Sequence, residues 1–261
     1  MPLFSRYLKH ILKFIVDASV TLVLWTYFIL GFVIFFAPIY LAAWLFAEDR
    51  AIAFQKLNNR FLRGFLWLMR TVVPGLAVDI DDRISGLESC VVVANHRSYL
   101  DPVILIACLK RQCTIVKKDF FQTPVFGRII QAAGYIPSQG NGGRLTSLLM
   151  KRIEKMYNYL AGGGVLFVFP EGTRSRTGKI GTFNKGVFKI ARNCNVPIEI
   201  LCITNTDRLF APDRFLFNTC VKNRIRVRHI GSISAEYCSI HPIEHVMAET
   251  RKMMEQHLDS S

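Results

Sequence analysis

Two patterns of hydrophobic residues divide the chain. Residues 18–47 form an apolar run without a charged side chain. From residue 79 onward, short β-rich apolar runs alternate with segments whose apolar residues recur every three or four positions. The first pattern is typical of a membrane helix, and the second is typical of strands separated by amphipathic helices.

The second pattern predicts an α/β domain with a twisted, mostly parallel sheet flanked by helices. No low-complexity linker divides residues 80–261, so we assign residues 77–261 to one α/β domain. Residues 1–76 are then N-terminal membrane-embedded and interfacial helices. The predicted strands cover residues 90–94, 113–116, 165–169, 198–203 and 225–230, and the predicted helices cover residues 101–111, 145–160 and 242–257.

The apolar run is long for one membrane span, which needs about 20 residues, and short for two. Basic residues flank it on both sides, and basic flanks prefer the cytosol. This favours a shallow hairpin or re-entrant pair bent near Gly31 or Pro38. One tilted span with an interfacial extension is the alternative. A buried core helix fits poorly, because core helices seldom lack charge over such a length.

Residues 54–76 combine cations with a broad apolar face. Lys56, Arg60 and Arg63 recur at helical spacing. A helix with cationic and aromatic faces suits the headgroup plane of a membrane. The same pattern also fits an ordinary amphipathic helix that packs on the α/β domain, and the sequence leaves both interpretations open.

Composition supports a membrane partner. The 261 residues carry a formal net charge of +14, 51% of them are hydrophobic, and the mean hydropathy is +0.27. Excess charge together with excess hydrophobicity indicates an anionic membrane surface. Nucleic acid is not an expected partner, because no zinc-finger spacing, RNP-like block or basic heptad region is present. The seven cysteines form no CxxC pair, so we expect no zinc site and reduced thiols on the cytosolic side.

Residues 222–229 alternate basic and apolar side chains. Lys222, Arg224, Arg226 and Arg228 would lie on one face of a strand. This pattern predicts a solvated edge strand, whose charges prevent aggregation. A basic stripe that faces the membrane is the alternative interpretation.

Two polar blocks follow predicted strands directly. The sequence "NHRSYLD" (residues 95–101) follows "CVVVA", and "PEGTRSR" (residues 170–176) follows "VLFVF". Ligands of α/β sheets bind beyond the carboxyl ends of the strands. Both blocks therefore lie at one edge of the sheet, where we expect an active site.

The first block offers an acid–base pair. A neutral His96 can remove a proton from a hydroxyl, and the Asp101 carboxylate can fix its tautomer. The two meet only if the chain folds back. Asp101 followed by Pro102 also fits the start of a helix, with Asp as the N-cap. Asn95 either caps the strand end or donates to the backbone.

The second block, residues 169–186, fits a phosphate. Gly172 allows close backbone approach, Thr173 offers a hydroxyl, and the planar guanidinium of Arg174 matches phosphate oxygens. The block is not a P-loop, because GxxxxGK[ST] is absent. A solvated basic loop is the alternative.

Together these residues resemble a known family. "NHRSYLD" is similar to the NHxxxxD motif, and "FPEGTRS" to the second hallmark, of the glycerophospholipid acyltransferases, in particular the 1-acyl-sn-glycerol-3-phosphate (lysophosphatidic acid) acyltransferases. The four blocks of that family would cover about residues 90–205. The HxxxxD motif is weak by itself, but the ordered pair separated by 75 residues is specific.

The resemblance implies acyl transfer from acyl-CoA or acyl-carrier protein to the hydroxyl of a lysophospholipid. The best acceptor is lysophosphatidic acid, which would become phosphatidic acid. His96 would be the general base and Asp101 would orient it, without a metal or a bound cofactor. The expected location is a membrane, with the catalytic domain on its cytosolic face: the inner membrane in a bacterium, or an endoplasmic reticulum-type membrane in a eukaryote.

The resemblance also assigns the acceptor site. The Gly172 amide, Thr173 and Arg174 would bind the phosphate, while Glu171 would hold a glycerol hydroxyl or orient Arg174. Lys117 is a further candidate for substrate binding. These assignments require the side chains of His96 and Arg174 to face one pocket.

One departure bears on the acceptor. Family members often carry an arginine shortly after the glycine that corresponds to Gly134, but here the sequence reads "GYIPSQG". Arg128 or Arg144 is a candidate substitute. Another lyso-lipid, such as a lyso-ornithine lipid or monolysocardiolipin, is therefore an alternative acceptor, and a non-catalytic membrane lipid-binding protein is an alternative function.

Overall fold

The computed structural model describes residues 2–138 and 147–259. At its centre is a seven-stranded sheet with the strand order β1-β7-β6-β2-β5-β3-β4. The strands are β1 (Leu76–Ile80), β2 (Cys90–Ala94), β3 (Gln112–Val116), β4 (Ile136–Pro137), β5 (Val165–Val168), β6 (Ile198–Thr204) and β7 (Asn223–Ile233).

The helices begin with a long one, α1, in three parts: α-helical Pro2–Thr26, π-helical Tyr27–Phe36 and α-helical Ala37–Phe46. The others are α2 (Arg50–Val72), α3 (Leu100–Cys108), α4 (Phe126–Ala132), α5 (Ser147–Ala161), α6 (Gly186–Asn193), α7 (Thr206–Leu209), α8 (Ala235–Ile240) and α9 (Ile243–Asp259). Two short 3₁₀ helices cover Asp82–Gly86 and Lys118–Gln122.

Neighbouring strands are parallel in every pairing except that of β6 with β7. The prediction of a mostly parallel sheet flanked by helices is confirmed. All five predicted strands and all three predicted helices are present, with shifted ends. The sequence did not predict β1 and β4, because both are short and carry few β-branched residues.

Strand β7 is not an edge strand, so that prediction is wrong. It pairs with β6 on one side and with β1 on the other. The basic alternation was interpreted as an edge because β1 was not recognised as its partner. Its apolar residues Ile225 and Val227 are buried, as the alternation predicted.

The central strands bury both faces. In β2, Val92 and Ala94 belong to one core cluster with α2 and α3, while Val91 and Val93 belong to a second cluster with α6 and α9. A strand covered on both sides needs apolar residues at every position. This explains the continuous run "CVVVA" and leaves only the strand ends for polar chemistry.

Helix α1 does not bend back at Gly31 or Pro38, so the predicted hairpin within residues 18–47 is wrong. The backbone stays helical from Arg6 to Phe46. At the end of the π-helical part, the Ala37 amide donates to the Phe32 carbonyl, five residues earlier instead of four. Pro38 lies in the first turn that follows, where a missing N–H is tolerated. The chain reverses instead at residues 47–49, where the Asp49 side chain caps α2.

Most of α1 is exposed. Only 17% of its most apolar window is buried against the rest of the structure, which excludes a core helix. By length and composition this helix can cross a membrane. At about 1.5 Å per residue it spans roughly 60 Å, twice the apolar thickness of a bilayer. The alternative of one tilted span with an interfacial extension stays a prediction.

Helix α2 packs on the α/β domain, which was one of the two interpretations left open. Its buried residues include Phe61, Phe65 and Met69, which share a core with the sheet. Its cations, Lys56 among them, are exposed. The division of the chain at residue 76 stays a prediction, since α2 contacts both α1 and the strands.

Asn59 attaches α2 to α3. Its Nδ2 donates to the carbonyls of Ile106, Ala107 and Leu109, at 2.8, 3.0 and 3.0 Å. These carbonyls lie at the end of α3, where a helix leaves its last acceptors unpaired. One buried amide therefore satisfies the end of the helix that begins with the first polar block.

We expect Asn59→Ala to lower the free energy of unfolding by about 2 kcal/mol, because it leaves buried carbonyls unsatisfied. The measurement is thermal unfolding in detergent micelles, with the exposed substitution Lys56→Ala on the same helix as the matched control. Equal midpoints for the two variants would contradict the role of Asn59.

Candidate active site

Three polar segments meet at the carboxyl edge of the sheet. The strands β6, β2 and β5 are adjacent and parallel. His96 and Glu171 lie in the loops that follow β2 and β5, and Thr206 begins the short helix α7 that follows β6. The two predicted polar blocks therefore lie side by side, and a third segment, which the sequence analysis did not identify, joins them.

His96 and Asp101 form a hydrogen-bonded pair. The Nδ1 of His96 lies 2.9 Å from Oδ2 of Asp101. Because a carboxylate only accepts, Nδ1 carries the proton and Nε2 keeps a free lone pair in the neutral ring. The His96 side chain is 16% exposed and that of Asp101 is 0% exposed. The imidazole can therefore reach a substrate, while the carboxylate is sealed from water.

The Asp101 carboxylate accepts from three further donors. Oδ2 accepts from the amides of Arg97 and Ser98, at 2.6 and 2.7 Å. Oδ1 accepts from the Thr206 hydroxyl at 2.6 Å. Asp101 lies inside the first turn of α3 rather than at its N-cap position. It fixes the conformation of the loop that carries His96.

Aromatic and amide contacts hold the rest of this loop. The Phe169 ring stacks on the imidazole of His96, with centroids 4.2 Å apart. The Asn95 side chain both accepts from the Ile203 amide and donates to the Ile203 carbonyl. Asn95 thus plays both of the roles between which the sequence could not decide. It joins the end of β2 to β6.

Glu171 connects the two polar blocks through backbone amides. Its Oε1 accepts from the His96 amide at 3.0 Å, and its Oε2 accepts from the Gly181 amide at 2.7 Å. The Ser175 amide donates to the His96 carbonyl at 2.8 Å, which adds a second connection. Both carboxylate oxygens have backbone partners, so the structure gives Glu171 a scaffolding contact. Its predicted contact with a glycerol hydroxyl stays a prediction.

Arg174 lies over a residue of the first block. Its guanidinium is 3.5 Å from the centroid of the Tyr99 ring, and its Nη1 is buried without a partner among the described residues. Gly172 adopts a left-handed φ of +68°, and a Cβ there would lie 3.1 Å from the Asn184 amide nitrogen. The turn containing Gly172, Thr173 and Arg174 therefore needs its glycine and aims one cation at the His96 loop.

The remaining predicted substrate contacts lie outside the two polar blocks. Lys117 follows β3 and is exposed, and it has no hydrogen bond to the pair among the described residues. Arg128 is exposed on α4. Arg144 lies outside the described residues. Substitution of Arg128 or Arg144 for the expected arginine stays a prediction.

Three contributors were missed in the sequence: Thr206, Tyr99 and Phe169. The segment "TNTD" after β6 carries a usable signal, because it is a polar cluster at the end of a third parallel strand. The contacts of the two aromatic residues carry no such signal. Stacking on His96 and Arg174 depends on loops that are distant in sequence.

Comparisons with known proteins identify the domain that contains the site. Residues 76–204 match the family model "Acyltransferase". This part of the chain is an acyltransferase domain. The match begins at β1 and ends with β6, so it contains the His96–Asp101 pair and the whole second block.

Three relatives carry the name 1-acyl-sn-glycerol-3-phosphate acyltransferase. A chloroplastic one from Brassica napus is 31% identical over 60% of this chain and 47% of its own. The one from Saccharomyces cerevisiae is 30% identical over 63% and 55%, and the human beta form is 29% identical over 57% and 52%. The chain thus spans about half the length of the curated relatives it matches.

The crystal structure of the 1-acyl-sn-glycerophosphate acyltransferase PlsC from Thermotoga maritima is similar over nearly the whole chain. It aligns with a TM-score of 0.70 and 19% identity over 94% of this chain and 96% of PlsC. At this identity the likeness shows the fold alone. It includes the N-terminal helices, because the aligned part leaves little of either chain out.

Neither Cys90 in β2 nor Cys202 in β6 is a competing nucleophile. Burial raises the pKa of the thiols of Cys90 and Cys202 to about 12. At neutral pH both are therefore protonated, and the protonated thiol is not the attacking form.

A large cavity of about 2040 Å³ lies between α1, α2 and α4. Arg128 lines this cavity, whereas His96 and Arg174 do not.

We expect Thr206→Val to lower kcat about tenfold, because Asp101 loses a donor to its buried charge and holds His96 less firmly. The KM for substrate should change little. Thr206→Ser keeps the hydroxyl and should restore kcat, which a packing role for the threonine would not predict. Steady-state kinetics of the two variants measure the effect, and equal losses in both would contradict it.

Proposed function

We propose that the chain transfers an acyl group from a thioester to the free hydroxyl of lysophosphatidic acid and so forms phosphatidic acid. The observation that carries the proposal is the His96–Asp101 pair, which leaves Nε2 of a partly exposed imidazole unprotonated beside the Arg174 loop. The names of the relatives support the same acceptor.

The reaction needs one base that becomes an acid. Nε2 of His96 removes the proton of the acceptor hydroxyl while its oxygen attacks the thioester carbonyl. The tetrahedral intermediate collapses, the carbon–sulfur bond breaks, and the imidazolium returns the proton to the departing sulfur. The buried Asp101 carboxylate stabilises the imidazolium throughout. The products are an ester and a free thiol, and no metal or bound cofactor takes part.

Arg174 is the proposed phosphate ligand. Stacking on Tyr99 orients the planar guanidinium, and its buried Nη1 has no protein acceptor among the described residues. A buried unpaired donor is unfavourable until an acceptor reaches it. Gly172 and Thr173 add an amide and a hydroxyl in the same turn. The acceptor phosphate would complete this set of donors.

The donor and the location follow from chemistry and charge. Acyl-CoA and acyl-carrier protein both present the thioester that the reaction consumes. The exposed apolar surface of α1 supports insertion into a membrane. The basic residues after the apolar run, Arg50 and Lys56 among them, support a catalytic domain on the cytosolic face.

The direct test uses purified full-length protein with labelled acyl-CoA and a panel of lyso-lipids. Ester formation and thiol release are measured in parallel. We expect equal amounts of both with lysophosphatidic acid. Thioester cleavage without ester formation, or a strong preference for an acceptor without a phosphomonoester, would contradict the proposal.

We expect His96→Ala to lower kcat by about 10²–10⁴-fold, because the transition state loses its general base. The thermal midpoint should stay close to that of the unaltered protein. The matched control is His245→Ala, which alters an exposed histidine whose ring contacts Tyr237 and His241, and it should leave kcat unchanged. Near-normal turnover of His96→Ala would exclude this residue as the base.

We expect Arg174→Ala to raise the KM for lysophosphatidic acid by about 10–100-fold, since a charged hydrogen bond to phosphate contributes about 1.5–3 kcal/mol. The KM for the thioester should change little. Arg176→Ala is the control, because that side chain is 78% exposed and pairs with Asp213. Similar KM values for the two variants would argue against a phosphate site at Arg174.

A further inference from the structure

A second cationic site lies at the start of β7. A groove of about 350 Å³ is open there. Four of its lining residues are basic and none is acidic. The lining consists of Gly75, Ala77, Asn205, Arg208, Lys222, Asn223, Arg224 and Arg226.

The four cations make no direct polar contact with other side chains that the structure describes. Among the described residues, none of the side chains of Arg208, Lys222, Arg224 and Arg226 makes a hydrogen bond or an ion pair. Asp79 interacts electrostatically with Arg224 and Arg226, but its two oxygens bind Arg228. The groove therefore holds four cations whose donors are available to a ligand.

The groove borders the apolar surface. Val221, the residue before Lys222, is 41% exposed, and Phe215 is 70% exposed. The Phe215 ring stacks on Trp25 of α1, with centroids 5.8 Å apart. Exposed apolar residues thus extend from α1 to the mouth of the groove, and the cations begin at the next residue. Such an arrangement is typical of the headgroup layer, where apolar surface gives way to charge.

The segment between these apolar residues is attached to α1. Asp17 accepts from the amide and the hydroxyl of Thr219, at 2.8 and 2.7 Å. Thr21 accepts from the Phe217 amide at 3.0 Å. Because this segment is fixed to α1 at the level of residues 17–25, insertion of α1 brings the groove to the membrane surface.

We infer that this groove binds the phosphate of an anionic glycerophospholipid from the surrounding membrane. The guanidinium groups supply the planar donors that phosphate prefers, and Lys222 adds a point charge. Asn223 is 5% exposed, and its Oδ1 has no partner among the described residues. That oxygen can accept from a hydroxyl or an ammonium of the headgroup.

This lipid site is separate from the acceptor site. The proposed acceptor ligand Arg174 stacks on Tyr99 and does not line the groove. The inference rests on the proposed function only in that both require a membrane-bound chain. A lipid held here need not be consumed, so binding can be measured without turnover.

The test is native mass spectrometry of the full chain in neutral detergent, titrated with phosphatidylglycerol and, separately, with phosphatidylcholine. The groove variant combines Arg208→Gln, Arg224→Gln and Arg226→Gln. The control variant combines Lys110→Gln, Lys189→Gln and Lys252→Gln, which removes the same charge from exposed positions elsewhere. We expect the groove variant to bind its first phosphatidylglycerol at least about tenfold more weakly, and the control to change less than about twofold.

Three outcomes would overturn the inference. Equal weakening in both variants would mean a general effect of net charge, and no weakening in either would mean that the groove binds no lipid. Displacement of phosphatidylglycerol by micromolar coenzyme A would assign the groove to the nucleotide phosphates of the acyl donor. If the triple variant does not fold, Arg208→Glu at an exposed position should produce the same selective loss.

The acyltransferase assay separates this inference from the proposed function. If the unaltered protein shows no ester formation but retains phosphatidylglycerol selectively through the groove, only the proposed function fails. If ester formation depends on His96 while both variants retain lipid equally, only the lipid site fails.

Discussion

The buried carboxylate of Asp101 is the constraint on which the site depends. A carboxylate without access to water is strongly unfavourable unless hydrogen bonds replace its hydration. Here a ring nitrogen, two amides and the Thr206 hydroxyl supply them. These donors come from two loops that follow different strands. Satisfying one charge therefore sets the position of His96 and joins the end of β2 to the end of β6.

Glu171 applies the same principle to the second loop. Its two oxygens accept amides from residues 96 and 181, which brings the Arg174 turn against the His96 loop. Acidic side chains thus organise this edge of a protein whose net charge is +14. Both carboxylates have hydrogen-bond partners within the loops, whereas Nη1 of Arg174 has none among the described residues. The backbone of the site is therefore fixed while one cation stays available to a ligand.

The sequence predicted those features that depend on local pattern. Strand β2 was recognisable because burial of both faces demands the unbroken run "CVVVA". The spacing of His96 and Asp101 left two interpretations open, and the resemblance of "NHRSYLD" to the NHxxxxD motif decided for the pair. The features that were missed depend on distant partners. Strand β7 looked like an edge because the partner on its outer side, β1, lies more than a hundred residues upstream. Thr206 is 105 residues from the carboxylate it binds. The predicted hairpin was wrong for a different reason. Gly31 and Pro38 favour a local break, but Gly31 lies within the π-helical part and Pro38 lies in the first turn after it, so the helix continues through both.

Helix α1 shows why a membrane segment is difficult to assign from hydropathy alone. Its apolar residues face outward, yet a few of its side chains pack inward against α2. Tyr27 is an example, since its hydroxyl donates to the Phe61 carbonyl. The same hydroxyl lies so close to Gly64 that a Cβ on this residue would be only 2.3 Å from the hydroxyl oxygen. The helix must therefore keep a specific rotation relative to the sheet while its opposite face stays exposed. Because α2 in turn holds the end of α3 through Asn59, any depth that α1 adopts in a membrane also fixes the depth of the His96 loop. For the proposed acylation of a lipid, this connection would keep the imidazole at a constant depth relative to the bilayer.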